Sequence, residues 1–185
     1  MRIIAGKHKN RTIPTREAAG YRPSTSKFRE ALFSILSSGE FANVPAFKDA
    51  RILDLYAGTG SLGLEALSRG ARSITLVDND RDNMDLAMSF AKKIGEENNV
   101  QVIITDANFL PRSTEKYDLV FMDPPYFKNY VAKSLTSLVK NDYLIDGAII
   151  AVEVSRKEDV ELIEGISLIK EKIYNNNKLL ILRYK

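Results

Sequence analysis

The sequence predicts an α/β protein: a mostly parallel sheet covered by helices on both faces and finished by an antiparallel hairpin. Three observations carry this. From Arg51 onward, short apolar runs alternate with helix-period segments, the order that builds a parallel sheet through crossovers. Runs such as Leu119-Val120-Phe121-Met122 are apolar without alternation, as strands buried on both faces are. Two final runs, Ile166 to Tyr174 and Lys178 to Arg183, are joined by Asn175-Asn176-Asn177, which suits a chain reversal.

The 185 residues suffice for one domain with a proper core, and 44% apolar with 28% charged residues are ordinary globular values. No run approaches the roughly 18 apolar residues of a membrane span. The basic N-terminus lacks the apolar core of a signal peptide, and without cysteine there is no disulfide framework or thiolate metal site. A soluble cytoplasmic chain is expected. Charge is uneven: residues 1–30 carry eight Lys/Arg against two acids, net +6, whereas the remainder is net −3. A basic lobe on a mildly acidic body suits a polyanionic partner.

In chain order, Ile3-Ile4 and Thr12-Ile13 flank a basic tip and predict a small hairpin over Arg2 to Pro14, with a loop from Thr15 to Pro23. Residues 1–23 are thus read as a basic hairpin and loop, and 24–185 as the main domain. Phe28, Ala31, Leu32, Ile35 and Leu36 recur at helical spacing and predict a helix from Ser24 or Ser26, closed by Gly39. Strands follow at Arg51 to Leu55, Ser73 to Val77, Val100 to Thr105, Tyr117 to Met122 and Ala148 to Val154. Helices fall at Ser61 to Arg69, Asp80 to Glu96 and Asn129 to Val139. A weak helix is expected over Glu158 to Ile163, before the terminal hairpin.

Asp54 to Gly63 follows the first of these strands and opens a helix. Gly58, Gly60 and Gly63 fit the spacing that lets backbone approach a nucleotide-like ligand. The glycines alone are a weak signal. Asp78, ending the next strand, strengthens them because a carboxylate there can hold two ribose hydroxyls. Asp106-Ala107, after the third strand, would face an adenine edge. An acid at the start of the loop repels a diphosphate and suits the sulfonium and ammonium of S-adenosyl-L-methionine. A nicotinamide enzyme would also want a substrate domain for which there is little room.

Asp123-Pro124-Pro125-Tyr126 follows the strand at Tyr117 to Met122. Neither proline has an N–H and each fixes its own φ, so the chain leaves the strand rigidly with carbonyls free to accept. The Asp123 carboxylate and Pro124 carbonyl can take both hydrogens of a planar amino group, aiming its lone pair at a methyl donor. Tyr126 can stack on an unstacked base. His8, the only histidine, reads as a surface or RNA-backbone contact, Tyr56 and Phe33 as core, and Glu153 as a strand-end carboxylate. No cluster shows metal-ligand spacing.

These residues together resemble the bacterial 16S ribosomal RNA guanine methyltransferase family known as RsmD. The resemblance spans nearly the whole chain: Arg2 to Gly6, Arg22-Pro23-Ser24 leading to Arg29-Glu30-Ala31-Leu32-Phe33, Leu53 to Gly63, Glu65 to Ala71, and Asp123 to Tyr126. The Glu-Ala-Leu-Ser-Arg-Gly-Ala run is its most specific part. It implies a seven-stranded class I, Rossmann-like methyltransferase sheet and methylation of a guanine 2-amino group in 16S ribosomal RNA of the small subunit or an assembly intermediate, by a monomer. Asp123, Pro124, Pro125 and Tyr126 would be catalytic. Thr25, Asp54, Ala57, Gly58, Gly60, Asp78, Asn79, Asp106 and Ala107 would bind cofactor, and Arg2, Lys7, Lys9, Arg11 and Arg22 would meet RNA. The chain departs from the family pattern at Asp78, where Glu is common, at Tyr126, where Phe is, and at Ser26-Lys27, where Asp-Arg is; the first two keep their chemistry. DNA adenine or protein glutamine as acceptor, or an RNA-binding module with a vestigial cofactor fold, stand as alternatives.

Overall fold

The computed structural model describes residues 1–15, 26–38 and 46–185. Its seven-stranded sheet has the order β3-β2-β1-β4-β5-β7-β6. The strands are β1 (Arg51–Leu55), β2 (Ser73–Asp78), β3 (Val100–Ile104), β4 (Tyr117–Met122), β5 (Leu144–Ser155), β6 (Ile166–Tyr174) and β7 (Asn177–Tyr184). The first five pair in parallel, and β7 joins β5 and β6 antiparallel, as the sequence predicts. The helices are α1 (Ser26–Ser37), α2 (Ser61–Ser68), α3 (Arg81–Lys93) and α4 (Tyr130–Lys140). The closing role expected of Gly39 lies outside the described residues. No described helix is long and apolar enough to cross a membrane.

Both faces of the sheet are buried, which is why β1, β2 and β4 are apolar without alternation. Ile52, Phe121, Ile149 and Ile181 pack with residues of α1, α2 and α3. Leu53, Leu55, Val120 and Val152 pack with α4 on the other face. β5 starts earlier than the apolar run suggests: Leu144 pairs with Tyr117 across a register shift, and Asp146-Gly147, which reads as a turn, is carried inside the strand with Gly147 at φ +81°. The helix expected over Glu158 to Ile163 does not form. One turn is too short to stabilise itself, and Glu158 is instead buried, its carboxylate accepting the N–H of Phe127 at 3.0 Å.

The N-terminal hairpin is present as an Arg2–Thr12 bridge with Ile3 N–H donating to Arg11 and Ile13 N–H to Met1. Ile3 and Ile13 are fully buried in the shared core. All eight residues of α2 are buried, because the hairpin covers the side that the sheet leaves open. Glu65 accepts the N–H groups of Ile4 and Ala5 at 2.7 and 3.1 Å, and is bridged by Arg69 at 2.7 Å. Arg69 also lies over the Phe33 ring at 4.6 Å. Ser68 donates to the Ala5 carbonyl at 2.6 Å and accepts from His8 N–H at 2.9 Å. Gly6 has φ +84°, and a Cβ there would lie 1.8 Å from the Ser68 carbonyl oxygen, so only glycine permits this approach.

Candidate active site

β1 lies between β2 and β4, so chain progression changes direction there, and the carboxyl ends of these strands open onto the crevice where such sheets bind ligands. Asp54, on β1, is buried, and its Oδ2 accepts the N–H of Gly63 at 2.8 Å, which ties the loop to the start of α2. Burial pushes its carboxyl up to about 7; the Gly63 bond opposes this, and the charges of Asp123 and Asp78 add to it. Gly60 sits at φ +76°, and a Cβ there would come within 2.7 Å of Leu76. A Cβ on Gly63 would come within 2.8 Å of the same side chain and 3.2 Å of Asp54 Oδ2. These two glycines therefore serve close packing on β2.

Asp78 holds the other end of the loop. Its Oδ2 accepts from Gly58 N–H at 2.8 Å and its Oδ1 from Asp80 N–H at 2.9 Å, leaving each oxygen a further lone pair. Ala57 is buried and donates its N–H to Val77, while Asn79 is exposed. After β3, Asp106 is exposed and accepts both the backbone and side-chain N–H of Asn108 at 2.8 Å, and Ala107 is buried beside it. Tyr56 joins the loop to the rest: its hydroxyl meets Ser134 at 2.7 Å and Asn108 at 3.3 Å, and its ring stacks on Tyr130 at 6.1 Å and 11°. Burial pushes this phenol up to about 12.

Beyond β4, Pro124 is buried while Pro125 and Tyr126 are exposed. The Tyr126 ring meets Phe127 edge-on at 6.4 Å, and Phe127 is 64% exposed at φ +58°. Glu153, on β5, reaches the same place. Its Oε1 accepts from Asn177 at 2.5 Å and faces the Tyr126 hydroxyl at 3.5 Å. Burial first, and then the charge of Asp123, push its carboxyl up to about 8 against the pull of these two donors. The signal available in the sequence was a single acid inside the otherwise apolar run Ala148 to Val154.

The basic residues of the hairpin differ. Arg2, Lys9 and Arg11 are exposed. Lys7 is half-exposed, with its ammonium 2.6 Å from Glu96, and His8 lies 2.6 Å from the same carboxylate. His8 thus faces an internal partner, unlike the open surface contact that the sequence suggested. Burial works against ionised Glu96, but the hydrogen bonds from Lys7, Asn99 and His8 outweigh it and hold its carboxyl below the usual range. Arg22 and Thr25 lie outside the described residues. No group of acids and histidines able to hold a metal occurs among the described residues. The crevice presents the carboxylates of Asp78 and Asp106, with Asp54 buried beneath the loop and Asp123 near enough to raise the pKa of Asp54. That donor set suits a ligand with positive charge and hydroxyl groups and disfavours a diphosphate.

The family model described as Conserved hypothetical protein 95 matches residues 1–183. The chain is 39% identical to the Uncharacterized methylase RP545 of Rickettsia prowazekii, over 100% of this chain and 98% of that one. It is 35% identical to the Ribosomal RNA small subunit methyltransferase D of Escherichia coli K12, over 83% and 74%. The solved structure of Escherichia coli yhhF, provisionally named a methyltransferase, matches with a TM-score of 0.85 at 30% identity, over 100% and 98% of the two chains.

Proposed function

The chain belongs to the Conserved hypothetical protein 95 family, and we propose that it transfers a methyl group from S-adenosyl-L-methionine to the 2-amino group of a guanine in 16S ribosomal RNA. The observation that carries this reading is the juxtaposition of two groups of residues: the Asp54–Gly63 loop on β1 and the Asp123–Tyr126 turn on the adjacent β4. The name of the Escherichia coli relative, Ribosomal RNA small subunit methyltransferase D, supports the choice of RNA.

When bound, S-adenosyl-L-methionine supplies an electrophilic methyl group on a cationic sulfur. Asp54 lends negative potential to the crevice that receives this cation, and the remaining lone pairs of Asp78 accept the ribose hydroxyls. Asp106 and Ala107 border the adenine. Asp123 and the Pro124 carbonyl accept the two hydrogens of the target amino group, so its lone pair turns out of the ring plane, and fixed placement supplies most of the rate. Tyr126 stacks on the flipped base, a contact worth about 1–3 kcal/mol. The hairpin presents Arg2, Lys9 and Arg11 to RNA phosphates, with Lys7, Arg22 and Thr25 completing the proposed contacts to RNA and cofactor.

We take the working form to be a monomer acting in the cytoplasm on small ribosomal subunits. Labelled methyl donor is offered to 16S ribosomal RNA, small subunits, DNA and protein. Label in the first or second, mapped by mass spectrometry to a guanine 2-amino group, is expected. Label only in DNA or protein refutes the reading.

A further inference from the structure

Glu153 is buried to 4% exposure at the carboxyl end of β5, and its Oε2 has no hydrogen-bond partner among the described residues. Its Oε1 takes the Asn177 amide of β7 and faces the Tyr126 hydroxyl, both neutral donors. Opposite it on β7 stands apolar Leu179, and the strand neighbours Val152 and Val154 are apolar. Lys178 pairs with Val154, so strand alternation sets it on the other face. From β4 the facing charge is Asp123. A buried carboxyl that has no cationic partner among the described residues and lies beside a second carboxylate does not ionise with it, because like charges in one site share a proton.

We propose that Glu153 is a positioning residue that enters the reaction as a neutral carboxylic acid, leaving Asp123 alone to carry the negative charge of the amino clamp. This rests on the methyl-transfer reading above. Neutral Glu153 offers one acceptor oxygen, already used by Asn177 and Tyr126, and one O–H on the otherwise partnerless Oε2. It therefore steadies the stacking ring through Tyr126 and adds no charge against Asp123. With the site's one proton on Asp123 instead, the clamp would donate where it must accept; with that proton lost to solvent above the midpoint, a second uncompensated anion beside the clamp would pull on the Tyr126 hydroxyl and move the stacking ring.

The carboxyl carbon of Glu153 is followed by 13C NMR in the free protein, an observation independent of turnover. The neutral form at pH 7 and a midpoint near 8 are expected, moving towards acid in Asp123→Asn. A midpoint in the ordinary carboxylate range, or one unmoved by Asp123→Asn, overturns the proposal. Methyl transfer to 16S ribosomal RNA is then measured against pH. Wild-type kcat should fall about tenfold per unit well above the midpoint, and Glu153→Gln, which keeps an acceptor and a neutral donor, should abolish that limb while holding kcat at pH 7 within about tenfold. Loss of more than about tenfold in Glu153→Gln would make Glu153 a base and overturn the proposal; Glu153→Asp, a carboxyl set back by one carbon, keeps the alkaline limb. Absence of any RNA methylation by the wild type would instead refute the acceptor reading and leave the NMR result standing.

Discussion

Glu65 accepts the backbone N–H of Ile4 at 2.7 Å across 61 residues of sequence. Through this bond and its partner to Ala5, a fully buried carboxylate on the helix that follows the Asp54–Gly63 loop anchors the basic hairpin. The hairpin is therefore mounted on the element that positions the candidate site.

Glu65→Ala removes a buried acceptor from two N–H groups and from Arg69. The loss of such a charge-assisted set costs about 3 kcal/mol. Chemical denaturation should show that loss, and hydrogen exchange should show early opening at Ile4 and Ala5. Slow exchange there would mean that the hairpin holds without its carboxylate.

Basic residues on the hairpin should contribute unequally to RNA binding. Lys9→Ala and Arg11→Ala are each expected to flatten the salt dependence of affinity by about one phosphate contact. Lys7→Ala should do less, because its ammonium is already engaged by Glu96 at 2.6 Å. Fluorescence anisotropy across a salt series compares the three, and equal slopes would remove the Glu96 bridge from the account.

On the proposed reading, Asp54 makes cofactor affinity depend on pH. Its carboxyl rises from 3.8 in the unfolded chain to about 7 in the fold, so folding takes up a proton there between those values. Its contribution to stability is complete below about pH 4 and is lost as pH rises through about 7. A cation binding beside it favours the ionised form, so calorimetric affinity for S-adenosyl-L-methionine should weaken as pH falls below 7, by at most about tenfold per unit. Asp54→Asn should flatten both the stability slope and the affinity slope.

Asp123→Ala should reduce kcat by about 100-fold or more while leaving cofactor affinity within about threefold, because on the proposed reading it removes the acceptor of the reacting amino group. Single-turnover transfer and equilibrium binding separate the two effects. Unchanged turnover would remove Asp123 from the chemistry.

Gly6→Ala meets the Ser68 carbonyl at 1.8 Å and also requires a positive φ, so the hairpin must lift from α2. Weakened RNA binding with intact cofactor binding is expected. Equal loss of both would mean that the hairpin supports the loop as well as the RNA.

Strands β1, β4 and β6 are readable to the residue, because burial on two faces or a tight chain reversal leaves a local imprint on composition. The glycine loop, Asp78 and the Asp123–Tyr126 turn are readable for a similar reason: each motif is contiguous. The Glu65 to Ala71 run is visible as specific, yet its purpose is not, because the N–H groups that Glu65 accepts lie some 60 residues earlier. β5 is misread at its start because Asp146-Gly147 carries a turn signature that pairing with β4 overrides.

The α/β class, the order of the strands, the acidic glycine loop and the Asp123–Tyr126 turn follow from the amino-acid sequence, since all of these are written in short-range periodicity and spacing. Packing turns Lys7 and His8 to Glu96, makes Glu65 the anchor of the hairpin and brings Glu153 to Tyr126. Those outcomes depend on which carboxylates are buried and what faces them. Burial and like-charge proximity are properties of packed distance, which strands brought together by crossovers create.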